Sequence, residues 1–375
     1  MTGRPALRVS AASLARATLQ ASGVTVLAAL VATEITAVYA DRAHAHPYAT
    51  DFDATIWQPA RNVLHGLSPY ADPHAAGFVP ASVYPPSAFL PALPLAWLDL
   101  GTATVCFQVA VALAGVGALL ALGVRDPRCH LLWLLTPLML IPILSANLTP
   151  LVVLCAALLW RWRTRPALAA AALSAAIALK LFLAPLWLWL LLTRRYRAAA
   201  YTPVATAAAV VGCWALIRFD GFAAYPALLK ADAASFGADG AFVQALVRQL
   251  GLGPAPALAV AGALALALLA VARRSSELVA FALVSAAAVA LSPIGWVFYA
   301  GVLIVPLAVR HARFARPWLV LGAFWVSWYH SPLPYTSVEL SVATIAATAW
   351  LLAAACRRPA PARVAGDAGR SPRPA

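Results

Sequence analysis

The sequence predicts an all-α polytopic membrane protein. Of its 375 residues 63% are hydrophobic and only 11% are charged, and the mean hydropathy is +0.82. Soluble domains use roughly 45–50% apolar residues. Apolar runs recur from about residue 15 to residue 356 with no long polar block between them. In lipid every backbone amide and carbonyl must find a partner within the segment, which makes such runs helices. The expected organisation is a single multi-pass membrane domain over 1–356 followed by a disordered cytoplasmic tail, 357–375, rich in Pro, Arg and small residues.

The elements follow in order. The first run, 14–40, comes after Arg4, Arg8 and Arg16 and is too long for the apolar core of a cleaved signal peptide, so it is expected as a retained anchor with its N-terminus inside. A polar stretch, 41–85, comes next. The Pro-rich segment 84–98 would spoil the parity of the crossings and is expected as a half-inserted or juxtamembrane helix. Further runs lie at 101–123, 130–144, 148–160, 166–181, 182–193, 198–218, 254–272, 276–292, 296–309, 317–330 and 336–356. With the anchor they make about twelve crossings and put both termini in the cytoplasm. Several are shorter than the ~20 residues that span a bilayer, which makes kinks at Pro150, Pro166 and Pro185 an alternative to separate crossings.

The net charge of +14 comes from short Arg clusters between runs, at 161–165, 194–197, 273–274, 310–316 and 357–358. That is the pattern of cytoplasmic loops. A nucleic-acid surface would gather its cations on one face, so no nucleic-acid partner is expected. Cys106, Cys155 and Cys213 fall within apolar runs, while Cys129 and Cys356 lie beside basic clusters, and no disulfide framework is implied. On this parity the polar features without Arg clusters share the opposite side. They are residues 41–85, the SANLTP turn at 145–150, Lys180, residues 219–253, SPIGW at 292–296 and HSPLPY at 330–335. One membrane face carries the chemistry.

Asp51 and Asp53 are the candidates for a general base, because a half-buried carboxylate can take a proton from a hydroxyl nucleophile. By spacing alone an ordinary solvated loop carrying two acids accounts for them better. The D-x-D pattern at 51–53, with His44, His46, His65 and His74 nearby, leaves a divalent-metal site as a further alternative, although no ligand geometry is fixed. Lys180 interrupts an otherwise apolar run. A cation there faces a cavity or an anionic partner such as a lipid phosphate, or else snorkels to the interface. Glu34 either pairs with a cation in the bundle or snorkels, and most of the thirteen Trp residues fit an interfacial belt.

An ordered set of motifs adds to this reading. It comprises W-x-P-A-R-x-V-L-x-G-x-S-P-Y at 57–70, Y-P-P at 84–86, N-L-T at 147–149, A-L-K-L-F-x-A-P at 178–185, R-R-x-R at 194–197 and S-P-x-x-W at 292–296. Together they resemble the GT-C superfamily of membrane glycosyltransferases, and more narrowly glycosyltransferase family 87, the polyprenyl-phosphate-mannose-dependent mannosyltransferases and their arabinofuranosyl relatives. The resemblance implies a GT-C-like bundle whose first extracytoplasmic loop carries juxtamembrane helices. It also implies a polyprenyl-phosphate sugar donor, a glycolipid or glycan acceptor, an active site on the extracytoplasmic face of the cell membrane, and an aspartate base in the first outer loop. Asp51 matches that position best, and one residue of slack keeps Asp53 open.

The family often has a Gly-Gln-x-Asn turn where this chain has SANLT, and His residues after Ser-Pro-x-x-Trp where this chain has Val297, Phe298 and Tyr299. Tyr299 is the polar stand-in for the donor-phosphate contacts of that region. Lys180 comes first and Arg61 second as phosphate ligands, since Arg can hold two phosphate oxygens at once. Trp57, Tyr84, Asn147 and Trp296 are the expected substrate- or lipid-binding residues. The expected reaction is an inverting, cofactor-independent transfer of a sugar, foremost mannose. A transporter or flippase of lipid-linked sugars is the rival reading, since it would need the same cavity and cation but no base.

Overall fold

The computed structural model describes residues 50–70, 83–326 and 337–357. The expected anchor at 14–40, Glu34, His44, His46, His74, the HSPLPY stretch and the tail beyond Arg357 lie outside the described residues. Within them the chain is helical and contains no strand. α1 runs from Thr50–Phe52 through a π-helical turn, Asp53–Trp57, into Gln58–Leu64. α2, Pro86–Phe89, passes directly into a 3₁₀ segment, Leu90–Trp97. This short irregular unit occupies the stretch expected as a half-inserted or juxtamembrane helix.

The bundle proper consists of α3 (Leu100–Ala121), α4 (Pro127–Leu134), α5 (Pro137–Leu144), α6 (Thr149–Arg161), α7 (Pro166–Leu179), α8 (Leu186–Leu192) and α9 (Tyr196–Leu216). Two helices, α10 (Tyr225–Phe236) and α11 (Val243–Gln249), lie in the long loop that follows, and then come α12 (Pro254–Ala272), α13 (Glu277–Leu291), α14 (Ile304–Arg310) and α15 (Val338–Cys356). Short 3₁₀ segments precede α8 (Leu181–Leu183) and α14 (Val297–Leu303), and another covers Arg316–Phe324.

Proline sets many of the starts. Pro127, Pro137, Pro166 and Pro254 are the first residues of their helices and Pro150 is the second of α6, positions where the missing N–H has no intrahelical partner to lose. Side chains complete four of these and other starts: Asp99 accepts from Thr102, Asp126 from Arg128, Thr136 from Leu138 and Ser337 from Leu340. Pro150, Pro166 and Pro185 therefore divide separate helices and do not kink continuous ones. The break between α4 and α5 is a true bend, of 59°.

Among the described residues four helices, α3, α9, α12 and α15, are long and apolar enough to cross a membrane by themselves, and the bent pair α4–α5 makes a fifth. Among the remaining apolar helices, α6, α7 and α13 have 13, 14 and 15 residues. They are therefore about 20–22 Å long, against a hydrocarbon core of about 30 Å. All three have one end among the basic loops. Arg195 donates to Glu277 at 2.7 Å and Arg163 Nε lies 2.9 Å from the same oxygen. Arg195 also donates to the Arg163 carbonyl, Arg161 to that of Ala121, and Arg310 to that of Ala355, while the Phe314 amide donates to Asp126. The basic clusters at 161–165, 194–197 and 310–316 are thus stitched to one end of the bundle.

At the opposite side α5, α7 and α13 end inside the protein, where their last carbonyls need donors, and α6 begins there. Buried side chains supply them: Ser87 donates to Ala178 of α7 (2.7 Å), Gln108 to Leu144 of α5 (3.2 Å) and Gln244 to Leu291 of α13 (2.9 Å). Full-length helices continue past this level. A polar floor is left within the bundle, roughly 20 Å from the basic end.

Candidate active site

Three turns meet at that floor. After α5 the chain takes Ala146 through the left-handed region, at φ 50°, and then starts α6, which brings Asn147 and Thr149 to the floor. After α7 the helix breaks at Lys180, whose extended backbone (φ −151°, ψ 119°) separates α7 from the next 3₁₀ segment. After α13 the SPIG turn leads into Val297–Leu303 and brings Phe298 and Tyr299.

Lys180 is buried, at 5% exposure. Its Nζ donates to Asn147 Oδ1 at 2.8 Å and to Thr149 Oγ1 at 3.1 Å. The rings of Tyr299, Tyr84 and Phe298 surround it, with centroids 4.9, 5.3 and 5.5 Å away, so the cation is held by amide, hydroxyl and π faces. Phe182 stacks on Tyr299 at 4.3 Å and fixes that ring.

The other end of the Asn147 amide reaches α1, where Nδ2 donates to Asp51 Oδ2 at 2.6 Å. The amide has one possible orientation, because Lys180 and the Thr149 backbone N–H (2.9 Å) both donate to Oδ1. Thr149 Oγ1 also donates to that oxygen, at 2.7 Å. A carboxylate and a buried ammonium are thereby held at opposite ends of one amide without forming a direct ion pair. The π-helical turn Asp53–Trp57 follows directly after Asp51, and the Thr55 hydroxyl bonds back to the Asp51 carbonyl. Such turns re-aim side chains and are frequent at functional sites.

The structure thus brings Asp51, Asn147, Lys180, Tyr84 and Tyr299 together. It does not bring Arg61 to them: that residue is exposed, with its guanidinium over the Trp57 ring at 4.8 Å. Trp57, the last residue of the π-helical turn of α1, is buried in the core. Asp53 begins the π-helical turn and is half-buried. Trp296 lies at the rim against Phe236, 6.5 Å between centroids. His65 is exposed, and among the described residues no group of three or more His, Cys, Asp or Glu is placed to hold a metal ion.

Sequence reasoning missed Thr149, Phe298 and Asp232. Thr149 stood in plain view in the N-L-T turn. Asp232 had a weaker signal, as the one acid in the stripe Tyr225, Leu228, Leu229, Asp232, Phe236, whose helical spacing gives α10 a single inward side. Each of these five residues is half-buried, while Lys230 points outward. Burial, and after it the charge of Asp51, pushes the Asp232 carboxyl up to about 6.

A bundle of apolar helices enclosing a carboxylate, an amide and a buried ammonium defines a multi-pass membrane protein with a polar reaction site. The family model for glycosyltransferase family 87 matches residues 83–294, more than half of the chain. The chain belongs to that family and is a glycosyltransferase, with a sugar donor and an acceptor as its substrates. Tyr84, Asn147, Lys180 and Asp232 lie within the match, whereas Asp51 and Tyr299 lie outside it. A search of curated proteins finds no match, and neither does a search of solved structures.

Proposed function

We propose that the protein transfers a sugar, foremost mannose, from a polyprenyl-phosphate donor to a glycolipid or glycan acceptor on the extracytoplasmic face of the cell membrane, with inversion. The observation that carries this reading is the Lys180–Asn147–Asp51 chain of hydrogen bonds. The acceptor hydroxyl gives its proton to Asp51 as its oxygen bonds to the anomeric carbon. The bond from that carbon to the phosphate oxygen breaks, and the electron pair leaves with polyprenyl phosphate. A phosphate leaving group needs no proton, only positive charge, which Lys180 supplies. Asp53 remains the alternative base.

Asn147 acts between the two as a spacer. A direct Asp51–Lys180 ion pair would lower the basicity of the carboxylate and neutralise the ammonium before the donor arrives. The aromatic rings around Lys180 provide an apolar wall for the isoprenoid next to its phosphate. Trp296 stands against Phe236 of α10, Trp57 belongs to the core, and mannose itself is supported by the family resemblance alone. A lipid-linked-sugar transporter would use the same cation but needs no general base.

The bundle is proposed to make about twelve crossings, with both termini and the basic end in the cytoplasm. In a cysteine-free background Lys230→Cys is then labelled by an impermeant thiol reagent added outside intact cells, and Arg197→Cys only after permeabilisation. The reverse pattern would turn the site toward the cytoplasm. For the reaction, the purified chain is given a radiolabelled short-chain polyprenyl-phosphate-mannose and an alkyl mannoside. Label moving into the glycoside supports the reading, and glycoside formed only when a labelled nucleotide sugar replaces the lipid donor overturns it.

A further inference from the structure

α10 lies over the site and is pinned at both ends. At its start the Tyr225 hydroxyl donates to the Val83 carbonyl at 3.0 Å, next to Tyr84. The Tyr225 ring also packs on Trp214 and Tyr70, with centroids 5.4 and 5.8 Å away. At its end Phe236 meets Trp296. Just beyond, the Ala241 amide donates to the Gly295 carbonyl at 2.7 Å. Gly240 and Gly295 permit that approach, since a Cβ on Gly295 would come within 2.7 Å of Phe242. Arg248 of α11 holds the helix from behind through the Ala233 carbonyl.

Asp232 sits on the inward side of α10, between the anchor at Tyr84 and the anchor at Trp296. It lies in the field of Asp51, and the phenols of Tyr84 and Tyr299 lie in the fields of both carboxylates. Lys180 instead faces the rings of those tyrosines and the Asn147 amide. The hydrogen bonds thus run Lys180, Asn147, Asp51, and Asp232 lies in the field of the Asp51 end of that line.

We propose that Asp232 binds the acceptor, accepting hydrogen bonds from hydroxyls of the acceptor sugar on the side of Asp51 away from the donor phosphate. This rests on the transfer reaction proposed above. A second carboxylate beside Lys180 would repel the phosphate, but at the far side of the base it meets a neutral polyol. An ionised carboxylate is an acceptor-only group that suits vicinal hydroxyls. The reacting hydroxyl is thereby delivered to Asp51 from the α10 side, while the lipid donor occupies the floor.

The test is steady-state transfer with short-chain polyprenyl-phosphate-mannose and an alkyl mannoside, varying each in turn, for the wild type, Asp232→Asn, Asp232→Ala and the outward control Lys230→Ala. Loss of one charge-assisted hydrogen bond raises the acceptor KM about tenfold or more in both Asp232 variants, with the donor KM changed less than about twofold. The groups facing Asp232 are Asp51, Tyr84, Tyr225 and Tyr299, with Arg248 behind the helix and Lys230 on its outer side. Because the ionised form binds, the wild-type acceptor KM falls as pH rises through about 6, and Asp232→Asn removes that inflection.

An unchanged acceptor KM, or a donor KM raised as much as the acceptor KM, overturns the assignment. Binding of the alkyl mannoside alone, followed by tryptophan fluorescence, separates this result from failure of the proposed reaction. If the wild type does not use the donor yet binds the glycoside, weaker binding by Asp232→Ala upholds the acceptor subsite, and equal binding or none in the wild type overturns it.

Discussion

Asp51→Asn is expected to lower sugar transfer by roughly 10²–10⁴-fold, the range contributed by a positioned general base. The substitution keeps the size and polarity of the side chain and removes its ability to take a proton. The amide can still present an oxygen to Asn147 Nδ2, which now lies 2.6 Å from Asp51 Oδ2, so the floor keeps its hydrogen bonds and the protein its fold. The loss falls on kcat, and donor binding persists because Lys180 and its aromatic surroundings are untouched. Single-turnover transfer beside donor binding measures both. Asp53→Asn serves as the comparison and loses less, since it is Asp51 that is joined to Asn147 and through it to Lys180. An inactive Asp53→Asn beside an active Asp51→Asn would move the base two residues along α1 and leave the scheme otherwise unchanged. Wild-type rates in both would remove the base altogether.

Lys180→Met is the second large effect. The buried ammonium faces one amide oxygen, one hydroxyl and three ring faces, and among the described residues no carboxylate forms an ion pair with it, so its charge is available to an arriving phosphate. Loss of one charge-assisted hydrogen bond costs about 1.5–3 kcal/mol, which is about 10- to 150-fold in donor KM. A further loss in kcat is expected because negative charge grows on the leaving phosphate. Met fills the apolar cage without stranding Asn147 Oδ1, which keeps both donors from Thr149. Donor titration at fixed acceptor reads the effect. An unchanged donor dependence would make Lys180 a structural cation. Lys180→Arg is not a rescue, because a planar fork does not fit a cage shaped around a point charge.

Much of the architecture was legible because lipid imposes a coarse rule. Most apolar runs between 101 and 356 become helices, but 130–144 splits into α4 and α5, 317–330 holds only a 3₁₀ segment among the described residues, and α10 and α11 arise in the polar stretch 219–253, with proline marking starts that the pattern alone left ambiguous. Lys180 was legible for the same reason, since a cation inside an apolar run needs a partner. Asp51 and Tyr84 emerged from the ordered motifs, and the structure sets them around the same amide and cation. Arg61 illustrates the limit. It shares its motif with Trp57, yet its position on α1 directs it outward over that ring, and sequence spacing holds no information about which side of a short, π-distorted helix faces the cavity.

By itself, then, the sequence determined a helical membrane protein with a basic end, a polar end and a short set of chemically apt residues, because hydropathy and charge placement are local quantities that solvent and lipid read directly. Its motifs and the family match determined the class of reaction. Only the tertiary structure decided that α7 and α13 end and α6 begins at a common level within the bundle, that Asn147 stands between Asp51 and Lys180, and that Asp232 is half-buried on α10 in the field of Asp51. The Asn147 contacts alone join residues 33 and 96 positions apart in the chain. Such contacts follow from how helices of unequal length pack and from where their unpaired carbonyls find donors, which no local pattern encodes.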